Sequence, residues 1–129
     1  MKYKRKILAV VCAGLWITLS EFIRNEFLFK GFWIEHFRSL GLVFATLPVN
    51  GLLWLVWSLL LAYVIYRLSD KFSPKEVLFI SWLAGFVMMW IAAYNLQVMS
   101  LGLLIIDLPL SLLEIAVAQY IIVRLRNLK

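Results

Sequence analysis

Long apolar runs separated by short polar clusters set the rhythm of the chain. Such runs occupy residues 7–23, 51–68, 74–95 and 101–123. Each is within the roughly 17–25 residues that carry a helix across a bilayer. Strand-like alternation is absent from them, so the pattern predicts an all-α membrane protein with four transmembrane helices. The whole of 1–129 reads as one domain. Start signals support the assignment. Pro48-Val49-Asn50 precedes the second run, with Asn50 expected as its N-cap. Ser73, Pro74 and Glu76 form a capping-box pattern ahead of the third. Gln97-Val98-Met99-Ser100 is a tight link into the fourth.

Residues 24–48 break this rhythm. Phe27, Phe29, Phe32, Trp33 and Phe37 are interleaved with Arg24, Glu26, Lys30, Glu35, His36 and Arg38. That is too many charges for a span and too many aromatics for a free loop. The expectation is an amphipathic interfacial segment, lying along the outer surface or folded over the helix ends.

Composition sharpens the class. Apolar residues are 64% of the chain and charged ones 16%, with a mean hydropathy of +0.93. A soluble domain of this size could not cover itself with so few polar groups. The net charge of +6 is spread in clusters at the ends of the apolar runs: Lys2, Lys4, Arg5 and Lys6; Arg67, Lys71 and Lys75; Arg124, Arg126 and Lys129. An even number of spans puts all three clusters on one side, which makes that side cytoplasmic and the topology N-in/C-in. The same distribution points to the lipid bilayer as partner and away from nucleic acid. Cys12 is the one cysteine, so no intrachain disulfide is available. No small-residue cleavage pattern follows the first run, which is expected to stay as a helix.

A few polar residues need an explanation. Asp107 and Glu114 lie seven apart on one face of the fourth run, with Pro109 between them. By helical rise Glu114 is about 20 Å along that helix and Asp107 about 9 Å. Acids at such depth face a bundle interior or a wet cavity. At about 10 Å separation each is expected to need its own partner from another helix. Glu21 and Arg24 sit three apart at the outer end of the first helix, and a local ion pair is the plain reading. With Asn50, Asn95 and His36 at comparable depth, these residues are expected to line a polar pocket open to the outside. The plain alternatives are a structural acid at Glu114 and an ordinary interfacial histidine at His36.

No catalytic residue, metal site or cofactor is indicated. Nucleophile-elbow, zinc-protease and phosphate-loop patterns are missing, and the chain has a single histidine.

The stretches SEFIRNEFLF at 20–29, FWIEHFRSLGL at 32–42, PVNGLLW at 48–54, FISWLAGFVMMW at 79–90 and LPLSLLE at 108–114 resemble a group of small four-helix bacterial membrane proteins of unestablished function. The resemblance implies a bacterial inner membrane and assigns no active site. Three functions are carried forward. The first is a non-enzymatic binding or accessory subunit, with a partner membrane protein or a homo-oligomer as company. The second is an oligomeric proton-coupled transporter using Glu114. The third is a membrane enzyme acting on a lipid or lipid-linked substrate.

Overall fold

A computed structural model describes residues 2–127; Met1, Leu128 and Lys129, the last a member of the third basic cluster, lie outside the described residues. The chain is 84% helix, and no strand occurs among the described residues. Helix α1 (Lys2–Phe22) runs on into a π-helical turn at Ile23–Leu28, and a short helix α2 (Lys30–Ser39) follows. Helix α3 spans Pro48–Leu68. The third long helix is built of α4 (Pro74–Trp82), a second π turn at Leu83–Val87, and α5 (Met88–Asn95). Helix α6 covers Leu101–Arg126. Among the described residues four helices, Tyr3–Leu28, Pro48–Leu68, Pro74–Asn95 and Leu101–Arg126, are long and apolar enough to cross a membrane. Asn50 is not the cap of α3: the helix starts at Pro48, so Asn50 falls within its first turn. The capping box at Ser73 forms, with its backbone N–H donating to Glu76 Oε2 at 2.9 Å.

Helix α1 lies along both α3 and α6, and α4 closes against α6. Its inner face is Ala9, Ala13, Ile17 and Glu21, one residue in every four. Lipid is as apolar as these side chains, so close backbone approach has to supply much of the contact energy. Gly14 shows it: a Cβ there would meet Leu59 Cδ2 at 2.6 Å and the Leu59 Cα at 3.2 Å. Ser58 and Ala62 on α3, Ser81 on α4 and Ser111 and Ala118 on α6 are the small residues of the other contact faces, all fully buried. Large aliphatics such as Leu15, Leu19, Leu60 and Leu113 point outward.

The start of α1 and the end of α6 lie by the α3–α4 connection. Arg126 pairs with Asp70 at 2.5 Å, Gln119 Nε2 donates to the Pro74 carbonyl at 3.1 Å, and Tyr3 and Lys6 share a groove with Tyr66 and Arg67. The described residues of the basic clusters therefore gather at one end of the bundle.

At the other end α2 folds over the helix termini. It stops at a Schellman turn, with Gly41 at φ +70° and N–H bonds from Gly41 to Arg38 O and Leu42 to Phe37 O. The same turn ends α5, with bonds from Gln97 to Tyr94 O and Val98 to Ala93 O. There the left-handed position is held by Gln97, at φ 60°, where glycine would be unstrained. This second turn presents the Val98 carbonyl to His36 Nε2 at 2.9 Å, which ties α2 to the α5–α6 link.

Candidate functional site

Near the end of the bundle covered by α2, Arg24 sits among three carboxyl groups. Its Nη2 bonds Glu21 Oε1, one turn earlier on the same helix. From α6, Asp107 Oδ1 lies 3.1 Å from Nη1 and Glu114 Oε2 3.2 Å from Nη2. Arg24, Glu21 and Glu114 are buried to 4, 5 and 1% exposure. The guanidinium fork lets one side chain span acids two turns apart on α6, which a point charge could not do. Asp107 and Glu114 thus share a partner, contrary to the expectation of one each. Glu21–Arg24 is likewise part of a wider cluster and not an isolated local pair.

Further groups hold the carboxylates. Ser20 Oγ donates to Glu114 Oε2 at 2.6 Å, and Asn25 Nδ2 donates to Glu21 Oε2 at 2.8 Å. Trp33 on α2 reaches down with its indole N–H to Asn25 Oδ1 at 2.9 Å, so the cover is bonded to the cluster at one remove. Trp16 Nε1 donates to the Glu114 carbonyl at 3.1 Å and fixes the height of α6 against α1. The Phe86 ring centroid lies 5.5 Å from Arg24 Cζ, in the range of a cation–π contact.

Irregular backbone in three helices borders this one cluster. Arg24 lies in the first π turn, where the Phe29 N–H reaches back five residues to the Arg24 carbonyl. Phe86 lies in the second, closed by Met88 N–H to Leu83 O. The extra residue brings Gly85 and Phe86 both inward before the phase resumes at Trp90. Pro109 stands inside α6 between the two acids. π turns carry a local cost and gather at functional sites.

One guanidinium facing three carboxyl groups leaves two acids in excess. Such charge is not held in a low-dielectric interior, so protons or a cation must balance it. Glu114 Oε1 is buried with no hydrogen-bond partner. Beside it a groove of about 170 Å³ opens between α1 and α6, bordered by Arg24, Ser20 and Glu114 and walled by Trp16, Ile23, Leu110 and Leu113. Ile23 and Leu113 belong to the outward-facing apolar surface, so this opening is sideways.

The other expected pocket residues do not join. His36 is engaged with Val98, Asn95 is exposed, and Asn50 is half-buried in the first turn of α3. Glu21, Arg24, Asp107 and Glu114 come together as a closed cluster with a lateral groove, not as a basin open at the helix ends. Ser20, Asn25, Trp33 and Phe86 were not singled out by the sequence. Asn25 had a signal, standing four residues from Glu21; Phe86 had none. Among the described residues no group of three His, Cys, Asp or Glu is arranged to hold a metal ion.

No family model matches the chain, and no curated protein or solved structure is significantly similar to it.

Proposed function

We propose that this chain is a small non-enzymatic binding protein or accessory subunit of a membrane, with the Arg24 cluster as its working site. The observation that supports this most is the buried Glu114 oxygen left without a partner, in a cluster with two acids in excess, beside a groove open to the side. The complementary ligand is a positive charge on an apolar body: the charge meets Glu114, and the body lies against Trp16, Leu110 and Leu113. A protonated lipophilic amine has that chemistry, as does a basic residue on a partner membrane helix. The Ser20 hydroxyl that accompanies the acids is engaged as a donor to Glu114, so binding is favoured over catalysis.

Hexyltrimethylammonium is a direct probe. It should raise the unfolding temperature of the detergent-solubilised protein saturably, while hexanol of equal length does not. Glu114→Gln should remove the effect. An equal response in that variant, or none in the parent, leaves the cluster a structural device and ends this reading.

A second reading is a proton-coupled transporter, favoured by the position of Glu114 halfway along α6. Four helices enclose little room for a pathway, so it requires an oligomer. Glu114→Gln would then abolish flux in proteoliposomes while insertion is kept; undiminished flux refutes it.

For placement, we propose a bacterial inner membrane with both termini cytoplasmic, and α2 at the outer interface. The gathering of the basic clusters at one end supports it. Reporter fusions active only in the cytoplasm should work at either terminus; activity of a periplasmic reporter there reverses the orientation.

A further inference from the structure

At the end of the bundle remote from the Arg24 cluster, a larger groove of about 580 Å³ runs between α1 and α3. Its walls are Ile7, Val10, Val11, Tyr63 and Tyr66, and its mouth carries Lys6 and Arg67. The charges at that mouth do not cancel. Asp70, which also borders it, is taken by Arg126 at 2.5 Å. Arg67 donates to the hydroxyl of Tyr63 at 3.0 Å and lies over that ring at 5.9 Å, both neutral contacts. Lys6 is exposed, with no hydrogen-bond or ion-pair partner among the described residues. Two cations without an ion-pair partner among the described residues therefore stand at the rim of an apolar slot, one at the start of α1 and one at the end of α3.

The geometry points to a binding site for one anionic phospholipid, its phosphate between Lys6 and Arg67 and one acyl chain in the slot over Ile7, Val10 and Val11. Charge complementarity selects this occupant: a zwitterionic headgroup brings its own cation to the same rim, and an anionic one does not. A lipid also supplies in one molecule the phosphate and the chain that the two halves of the groove require. Arg67 is already oriented by Tyr63, so little side-chain freedom is lost when phosphate arrives.

Native mass spectrometry of the full chain, titrated in detergent with dioleoyl-phosphatidylglycerol or dioleoyl-phosphatidylcholine, tests this. One phosphatidylglycerol should be retained at concentrations on the order of tenfold below those needed for phosphatidylcholine. K6Q/R67Q should abolish the preference, and K71Q/K75Q, which removes as much charge from the same end, should keep it. V11W fills the slot without touching charge, and it should also abolish retention. That variant decides the matter if K6Q/R67Q fails to fold. Equal retention of the two lipids, equal loss in K71Q/K75Q, or an unaltered preference in V11W would each overturn the assignment.

Discussion

Removing the Arg24 guanidinium would strand Glu21, Asp107 and Glu114 in a space that excludes water. Breaking a buried ion pair from one side costs about 3–5 kcal/mol, because the remaining charge is left uncompensated. Arg24→Met is therefore expected to lower stability by about that amount in SDS-induced unfolding from mixed micelles. Adding Glu21→Gln, Asp107→Asn and Glu114→Gln to the same chain should restore a large part of it. If the single variant unfolds like the parent, the cluster does not couple α1 to α6. Arg24→Lys is expected to be intermediate: an ammonium can meet Glu21 or Glu114, but it lacks the fork that reaches Asp107 at the same time.

At the scale of elements, two chain reversals with the same hydrogen bonding are filled by different residues. Gly41 meets its left-handed backbone at no cost, whereas Gln97 holds the same conformation against its own Cβ. Gln97→Gly should stabilise the protein, and Gly41→Ala should destabilise it, each by about 1 kcal/mol. The same unfolding assay reads both, and a stabilising Gly41→Ala would contradict the left-handed assignment. Most helix boundaries were legible because they rest on local chemistry: Ser73, Pro74 and Glu76 start α4, and the run to Asn95 ends where polar residues begin. The two π turns were not. The second falls in Leu83–Val87, apolar on every side, where a one-residue change of phase leaves no mark in hydropathy. The first falls in Ile23–Leu28, whose charged residues read only as the end of a span. Asn50 misled because a capping residue type stood two positions inside a helix that Pro48 had already begun.

For the whole molecule, pattern and charge were enough to read four membrane-length helices, since those follow from hydrophobic length alone. They were not enough to read the cluster. Spacing put Asp107 and Glu114 on one face and Glu21 with Arg24 on another, but how far one guanidinium reaches depends on the distance of α1 from α6. Buried alanines on both helices, Ala9, Ala13 and Ala118, permit a close approach but carry no chemistry of their own. The expectation of a pocket open at the end failed for a related reason. Expected depth groups Asn50, Asn95 and His36 with Glu21 and Arg24, but depth along the bundle says nothing about position around it.

The cluster joins the first long helix to the last, and this imposes an order in time. As α1 leaves the ribosome, Arg24 has only Glu21 within its own helix to answer it. Asp107 and Glu114 are made more than eighty residues later. Until then the end of α1 is held in the membrane below its final stability, and α6 has two acids that bilayer alone would reject unless α1 is already in place. Chains halted before Leu101 should accordingly be cleared quickly by membrane proteases, and α6 expressed by itself should insert poorly. Co-expression of the two fragments should rescue both, and Arg24→Met in the first fragment should cancel the rescue. Pulse-chase measurement of each fragment's lifetime reads all of these outcomes; equal lifetimes throughout would mean that the helices settle independently of one another.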